Sequence, residues 1–478
     1  MSDGRMRRLV SLVDRGNQDE FFYPQDANDT VFLPNFQPYH NFAQETVEMP
    51  YTGAANWGQR ITFTLPFPWT GDCLSWIALR ITPESWLPGN IINGLLANVP
   101  YQWTYRDLSG AWTWADSLGT NAIELVEMEV NGIVVEQWSG DWMSVWQTMC
   151  LDPSRGAGWK DAVYGAGQLD DPLRTVFPTE DGSVYAYFPF WFARHRNAAF
   201  PLVSVHGEGN VRFHITLRKF NDVIRKVGFR RLNDESVLGQ NIDFIDNHVA
   251  IPLDYVCAVS PVVPNLKNAI LVCGFVHIDG SLRAAYLHRP HEILIEPVIN
   301  IPFSEPLKYV IGPSDKDQIH ISLPLDAVNG PVRQVIWFLR RKANKYFNSW
   351  TNYGAYLEDE IIPIFKPQRP LLKKATLRVG TVVWAEQDEF WWRYRGALQN
   401  PGEIQLMDSY IYAYSFASDP TKFGPTGSVN ASRADLRLDL VVEQPSGVTN
   451  REWEVQVFVL GHNWLRFQNG LAERMFTD

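Results

Sequence analysis

The amino-acid sequence predicts an all-β protein in which one antiparallel sandwich fold occurs twice in tandem. Short segments of alternating apolar and polar residues recur along the chain, whereas long helical periodicity is scarce. Three segments of the first half also match segments of the second half in the same order. Alternation with a period of two is typical of half-buried strands, and many such strands favour sandwiches or jelly rolls.

The length of the chain, 478 residues, suits two domains of roughly 200 residues each. Aromatic residues are abundant, with 19 Trp, 27 Phe and 18 Tyr, and charged residues make up only 20% of the chain. Aromatic side chains are enriched where protein surfaces meet, so this composition indicates a protein with extensive interfaces.

Four segments show the strand pattern most clearly: ITFTL (61–65), VRFHITL (211–217), LRLDLVV (436–442) and WEVQVFV (453–459). In 211–217 the apolar side chains point one way and Arg212, His214 and Thr216 point the other way. The best candidates for helices are the stretches after Asp141 and after Glu386.

The three internal matches indicate a duplication. ITFTLPF (61–67) matches IHISLPL (319–325), and FARHRNAAFPLVSV (192–205) matches FASDPTKFGPTGSV (416–429), with Phe192 opposite Phe416. Between them, Gly132 stands opposite Gly380 and Asp141 opposite Glu389. The separation of the matches shrinks along the chain, as expected when the loops of two copies differ in length.

The aromatic run YAYFPFWF (185–192) is predicted to be a strand buried on both faces, because such strands are continuously apolar. Arg194, His195 and Arg196 follow the run. We expect them in a short helical turn, where cations are tolerated near exposed carbonyl groups.

The formal net charge of −11 argues against a coat for nucleic acid, since phosphate binding requires clustered Lys and Arg. The basic segment MSDGRMRRLVSLVDRG (1–16) is interpreted either as a solvated terminus or as an arm that contacts a partner or a membrane surface. No secretion signal and no apolar run long enough to cross a bilayer is apparent, so we expect a soluble chain.

No catalytic, cofactor-binding or metal-binding residue is predicted. His288 and His291, with His277 nearby, make a poor metal cage on a strand or loop. The four cysteines are too scattered for a disulfide framework or a zinc site and are expected to be reduced: Cys73, Cys150, Cys257 and Cys273.

Clustered carboxylates are interpreted as solvated acids of loops and helix starts, not as a catalytic pair: Glu358, Asp359, Glu360, Glu386, Asp388 and Glu389. Asp141 and Glu389 are each expected to accept hydrogen bonds from the first turn of a helix. GAGWKDAVYGAG (156–167) lacks the spacing of a phosphate-binding loop, and the glycosylation sequons at Asn28 and Asn430 are interpreted as turns.

Several segments resemble one family, the double jelly-roll major capsid proteins of nucleocytoplasmic large double-stranded DNA viruses. In the first half these segments are LVSLVDRGNQDEFF (9–22), HNFAQE (40–45), GDCLSWIALRI (71–81), AIELVEMEVNGIVVEQWSGDWMSVWQ (122–147) and PFWFARHRNAAFPLVSV (189–205). In the second half they are HEILIEPV (291–298), SYIYAYSFASDP (409–420), PTGSVNASR (425–433) and HNWLRFQNGLAERMF (462–476).

The resemblance implies two tandem eight-stranded antiparallel jelly rolls with short helices and long loops. It divides the chain into an N-terminal arm (1–25), a first jelly roll (26–286) with a long loop (221–267), and a second jelly roll (287–478). It also implies a major capsid protein, not an enzyme, that forms pseudo-hexagonal homotrimers tiling an icosahedral virion shell assembled in the host cytoplasm.

The partners implied are neighbouring capsomers, minor capsid and penton proteins, and an inner membrane contacted by the arm, without direct binding of nucleic acid. Within this hypothesis Trp103, Trp112 or Trp114 lies in the trimer interface, unless the segment 83–117 covers its own domain. Two alternatives stay open: a β-sandwich that binds or hydrolyses glycans, and a transient scaffold for virus assembly.

Overall fold

The structure is a computed structural model. It describes residues 41–84, 111–115, 117–151, 162–163, 183–195, 198–207, 209–233, 243–251, 265–303, 317–357, 368–399, 409–444 and 452–476. The chain divides into two compact units, Met1–Phe42 and Ala43–Asp478. Apart from Phe42, the strands, helices and contacts described below belong to the second unit.

The described residues of the first half contain eleven strands: β1 (Phe42–Pro50), β2 (Arg60–Thr64), β3 (Cys73–Pro83), β4 (Ala111–Trp114), β5 (Ile123–Val130), β6 (Ile133–Ser139), β7 (Val184–Tyr187), β8 (Val211–Leu217), β9 (Ile224–Asn233), β10 (Asp243–Ile251) and β11 (Leu266–Ile278). The second half contains β12 (His291–Ile295), β13 (Val298–Phe303), β14 (Asp317–Pro324), β15 (Pro331–Arg341), β16 (Leu372–Val379), β17 (Val382–Asp388), β18 (Ile411–Ser415), β19 (Val429–Asn430), β20 (Leu436–Gln444), β21 (Trp453–Gly461), β22 (Asn463–Gln468) and β23 (Leu471–Arg474).

The helices in the described part of the chain are short. They are α1 (Leu118–Asn121), α2 (Gly140–Cys150), α3 (Trp191–Arg194), α4 (Gly280–His288) and α5 (Glu389–Gln399). Three short 3-10 helices accompany them in the described residues, at Leu202–Ser204, Phe220–Asp222 and Lys342–Tyr346. No helix among the described residues is long and apolar enough to cross a membrane.

Four sheets form two sandwiches with the same strand order. The first sandwich contains sheet A (β1-β11-β3-β7) and sheet B (β2-β8-β5-β6). The second contains sheet C (β13-β21-β15-β18, with β19 beside β15) and sheet D (β14-β20-β16-β17). Without the extra strands β4, β9, β10 and β19, each pairing of the first sandwich has a counterpart in the second. The predicted tandem repeat is confirmed by this correspondence.

The hairpins β5–β6 and β16–β17 align the two sandwiches residue by residue. Asn131 (φ 52°) and Gly380 (φ 59°) occupy the same left-handed turn position, which Asn and Gly tolerate best. The helices that follow, α2 and α5, are both 11 residues long. Asp141 is therefore the counterpart of Phe390, and the predicted pairing of Asp141 with Glu389 is wrong by one residue.

Backbone hydrogen bonds correct the other two matches. The N–H of Leu65 donates to Val211 (3.1 Å) as that of Leu325 donates to Leu436 (3.0 Å), which makes Ile321 the counterpart of Ile61. Directly after β7 and β18, Phe188 and Phe416 bond back to the third strand of their sandwich, at Ile77 and Arg333. Phe416 thus corresponds to Phe188, not to Phe192.

The aromatic run is only partly a strand. β7 ends at Tyr187, Tyr185 is 36% exposed, and the next residues turn into α3. Pro189 explains the early end, since proline has no N–H for the sheet ladder. The predicted strand buried on both faces is therefore wrong beyond Tyr187, although Phe188, Phe190 and Phe192 are buried in a cluster of packed rings.

The segments with alternating residues are strands, as predicted, and helices begin near Asp141 and Glu386, at Gly140 and Glu389. The predicted long loop (221–267) contains the hairpin β9–β10, which forms a small sheet with β4. One continuous hydrophobic cluster includes buried residues of both sandwiches.

Candidate functional site: the joint and its exposed counterpart

The first sandwich contacts the outer face of sheet C through β6 and α2, and we call this contact the joint. Trp142 of α2 packs on Phe458 of β21 with ring centroids 5.3 Å apart, and both side chains are fully buried. Asn300 of β13 donates to the hydroxyl of Ser139 at 3.1 Å. Apolar packing with satisfied polar groups at its edge is the composition of a permanent interface.

Asp141 connects the joint electrostatically. Arg340 of β15 donates to both carboxylate oxygens of Asp141, at 2.8 and 3.0 Å, and also donates to Glu454 at 2.8 Å. Burial raises the pKa of Asp141, but the charge and hydrogen bonds of Arg340 and the nearby charge of Arg218 outweigh it and lower that pKa overall. The expectation that Asp141 caps its own helix is therefore wrong, because its oxygens bind an arginine of the other sandwich.

Glu296 lies in the link between β12 and β13 and is completely buried. His195 lies 3.0 Å from its carboxylate and Arg333 donates to the same oxygen, while Arg194 donates to its backbone carbonyl. Burial acts to raise the pKa of Glu296, but the hydrogen bond of His195 and the charges of Arg333 and Arg194 hold it at about 2. Glu296 is therefore a carboxylate that joins both sandwiches.

Glu136 of β6 is a second buried acid at the joint. It accepts a hydrogen bond from the N–H of Val298, at 3.0 Å, and lies 4.0 Å from Arg194. Burial raises the pKa of Glu136 to about 7, because the charge of Arg194 and the N–H groups of Val298 and Trp191 offset desolvation only in part.

The sequence singled out Arg194 and His195 but assigned them no partner. Arg194 ends α3, as expected of a helical turn, whereas His195 follows it in extended backbone, and Arg196 lies outside the described residues. Sequence reasoning missed Glu296 and Arg333. The acid Glu296, directly after the apolar run ILI (293–295), was the available signal, since buried acids require a cationic partner.

The counterpart of the joint on the second sandwich is exposed. All residues of β17 except Ala385 are exposed, including Val382, Val383 and Trp384. On α5, Phe390 is 68% exposed, Tyr394 57% and Leu398 62%. These six side chains form what we call the β17–α5 face.

The acids at the start of α5 and just before it have three different roles. Asp388 accepts a hydrogen bond from the N–H of Trp391 at 3.0 Å, so it caps the helix. Glu389 instead accepts from the hydroxyl of Tyr412 at 3.3 Å, and burial raises its pKa. The predicted capping role of Glu389 is therefore wrong. Glu386 forms an exposed ion pair with Lys374, and Glu358, Asp359 and Glu360 lie outside the described residues.

The candidate histidines have separate partners. His277 lies 3.1 Å from Glu45, and His291 stacks on Phe467 with centroids 5.0 Å apart. In the described part of the chain no cluster of three potential metal ligands occurs, and Cys73, Cys150 and Cys273 are free thiols. Burial raises the pKa of Cys273 to about 12, which makes this thiol unreactive.

Three further expectations concern single residues. Trp114 packs on Trp57 and Phe220 inside the first sandwich and is 6% exposed, so it lies in the core and not at an outer surface. Trp103 and the side chain of Trp112 lie outside what the structure describes, as do Asn28 and almost all of 156–167. Asn430 accepts a hydrogen bond from the N–H of Ser432 at 3.0 Å, as a turn residue does.

Two family profiles match successive parts of the chain. The profile for the N-terminus of major capsid proteins matches residues 30–258, and the profile for the major capsid protein of large eukaryotic DNA viruses matches residues 283–473. The chain belongs to this family. Both profiles describe major capsid proteins, and the second describes those of large eukaryotic DNA viruses.

Curated relatives of the chain are named major capsid proteins. The chain is 23% identical over 491 residues to the major capsid protein of Pyramimonas orientalis virus, covering 98% of this chain and 99% of that one. It is 25% identical over 354 residues to that of Chrysochromulina ericina virus, covering 65% of this chain. The chain spans 57% of the latter relative and 62% of the major capsid protein of Phaeocystis pouchetii virus.

Solved structures show the fold class predicted from the sequence, a double jelly roll. The PBCV-1 VP54 chain fitted into a reconstruction of the virophage Sputnik has a TM-score of 0.65 at 15% identity, covering 94% of this chain and 100% of that one. The Faustovirus major capsid protein has a TM-score of 0.63 at 12% identity, covering 92% and 93%. We therefore call the two sandwiches jelly rolls; the number of eight strands in each stays a prediction.

Proposed function

We propose that this chain is a capsid protein of the virion shell, and that it forms homotrimers of pseudo-hexagonal outline that tile an icosahedral shell. The joint is the observation that supports this. It joins two copies of one fold through different surfaces, since β6 and α2 of the first jelly roll cover the outer face of sheet C. A contact between two unlike surfaces can be repeated from one subunit to the next around a ring. Most soluble homo-oligomers have closed symmetry, so such a ring is expected to close.

Three chains would place six jelly rolls around such a ring, with a joint inside each chain and an equivalent contact between chains. The native mass of the purified protein tests this proposal, and three chain masses are expected. Electron microscopy of the same sample should show six similar lobes. A monomer or a dimer at micromolar concentration would overturn the proposal.

We further propose a purely structural role, with domains 26–286 and 287–478 and with neighbouring capsomers, minor capsid proteins and penton proteins as partners. The proposed boundary falls within α4, which links the last strand of the first jelly roll to β12. Support for the structural role comes from the acids at the joint. Asp141 and Glu296 are occupied by arginine or histidine partners, so neither is available as an acid or base for a substrate.

For the basic segment 1–16 we propose contact with minor capsid proteins or an inner membrane. Its arginines would bind an acidic protein surface or anionic lipid headgroups: Arg5, Arg7, Arg8 and Arg15. Deletion of 1–16 should leave the trimer mass unchanged but reduce the yield of closed shells on assembly. Shells formed at the normal yield would contradict this role.

A further inference from the structure

The β17–α5 face is an apolar surface that nothing covers within the described part of the chain. Phe390, Tyr394 and Leu398 recur every four residues, so they lie along one side of α5. β17 is the edge strand of sheet D, and an exposed apolar edge is a template for pairing with another chain. Large exposed apolar patches on soluble proteins mark binding surfaces.

The counterparts of these residues show what covers such a face. The hairpin alignment places Asp141, Val145 and Met149 of α2 opposite Phe390, Tyr394 and Leu398, and their exposures are only 7%, 0% and 1%. Asp141 binds Arg340 of the second jelly roll. Met149 of α2 lies against α5, since a Cβ atom added at Gly396 of α5 would be 3.6 Å from its Cε. The face on α2 is thus covered by the second jelly roll.

The two edge strands differ in the same way. β6 is the edge strand of sheet B, and its residues Val135, Glu136 and Trp138 are at most 3% exposed. Glu136 receives its hydrogen bond from Val298 of the second jelly roll. The helix and the second half of the strand are therefore buried in the first copy of the fold and exposed in the second, whereas Ile133 and Val134, the counterparts of Val382 and Val383, are themselves 50% and 37% exposed.

The register of the strands identifies the surface that corresponds to sheet C in the joint and that would cover the β17–α5 face. In sheet C, Val335 pairs with Val459 and Tyr414, and in sheet A, Leu79 pairs with Leu271 and Ala186. Counting along the strands from these pairs makes Ile270 the counterpart of Phe458, on which Trp142 packs. It also makes Glu84 the counterpart of Arg340.

The outer face of sheet A has the properties of a docking surface. Ile270 is half-buried, and Tyr185 is 36% exposed beside Arg80. In sheet C the corresponding face is closed by α2, whose Trp142 fully buries Phe458. Sheet A offers a mixed apolar and polar surface of the kind found at interfaces between subunits.

We propose that the β17–α5 face of one chain docks on the outer face of sheet A of a second copy, in the geometry of the joint. Phe390 then lies near Glu84 of the second copy, and Trp391, the counterpart of Trp142, packs over Ile270. This inference rests on the proposed homotrimer and names the two surfaces that form it.

Paired substitutions test the inference. The double variant Phe390→Glu with Tyr394→Glu should dissociate to monomers at concentrations where the wild type is trimeric. The control is Tyr346→Glu, which changes a ring of similar exposure, 52%, that belongs to neither the β17–α5 face nor sheet A. The control should stay trimeric, and circular dichroism should show all variants folded. Trimers that persist in the double variant would overturn the inference.

Cross-linking tests the partner surface. A chain carrying Phe390→Cys and Glu84→Cys should yield covalent species of three chain masses with a short bismaleimide, whereas Tyr346→Cys with Glu84→Cys should not. The wild type reports the background from its own thiols. A trimeric wild type without cross-links at 390 and 84 would reject only the assigned surfaces. A monomeric wild type would reject the homotrimer itself.

Discussion

Buried charges at the joint determine which surfaces of the two jelly rolls meet. Glu296 and Arg333 are 0% and 1% exposed, and neither has access to water as a substitute partner. A buried ion pair adds little net stability compared with apolar side chains, but loss of one partner is costly. These residues therefore specify the position of the joint more than they stabilise it.

Substitution of Glu296 should be strongly destabilising. In Glu296→Gln the buried guanidinium of Arg333 loses its counter-charge, and we expect the free energy of unfolding to fall by about 3–5 kcal/mol. The matched control is Glu292→Gln, because the ion pair of Glu292 with Arg466 is exposed. That control should change stability by less than about 1 kcal/mol. Urea denaturation of both variants measures the difference, and equal effects would contradict the assignment.

Glu136 should make the stability depend on pH. Its pKa is raised from 4.5 to about 7, so between these values the folded chain keeps a proton that the unfolded chain has lost. This term therefore destabilises the protein as pH rises from about 4.5 to 7, by about 3 kcal/mol in total.

The variant Glu136→Gln isolates this term, since the amide stays neutral and still accepts from Val298. The difference in unfolding free energy between variant and wild type should shift in favour of the variant as pH rises from 5 to 7.5. Other groups, such as the buried His462, cancel in that difference. A constant difference across this range would show that Glu136 is ionised in both states.

At the scale of elements, α2 and α5 are equivalent in topology but not in surroundings. Both helices follow an edge strand and both could be predicted from the sequence near Asp141 and Glu386. Their contacts could not, because alternation and helix-start signals report only local structure. Asp141 has the pattern of a capping acid, yet its partner Arg340 lies in the other jelly roll.

Truncation of one side chain on each of these two helices should separate folding from assembly. Trp142→Ala opens a cavity against Phe458 and should lower the free energy of unfolding by about 3–5 kcal/mol. Phe390→Ala removes an exposed ring and should leave chain stability within about 0.5 kcal/mol, while it weakens the trimer. Denaturation of dilute chains and mass measurements at higher concentration report the two effects. Similar losses of stability in both variants would contradict the contrast.

For the whole molecule, the sequence was sufficient to predict the duplicated fold but not its alignment. The three matches were correct in order, yet each was displaced by one to four residues, since loops of unequal length shift short motifs. Contacts such as His195 with Glu296 join residues far apart along the chain, which no local pattern encodes. The hairpin β9–β10 was likewise missed within a segment interpreted as loop.

The shared core predicts cooperative unfolding. One hydrophobic cluster includes residues of both jelly rolls, and buried ion pairs cross the joint, so residues 43–478 should unfold in a single thermal transition. Differential scanning calorimetry of dilute protein measures this. In Glu296→Gln the transition should broaden or split, and two well-separated transitions in the wild type would contradict a common core.

The link through α4 has a consequence for the order of events during assembly. Because it tethers the two jelly rolls, each meets the other at an effective local concentration in the millimolar range, set by the tether and not by expression level. Contacts between separate chains have no such advantage and form only after enough subunits accumulate. Folding of each subunit therefore precedes ring closure, and dilution should reverse the second step without the first.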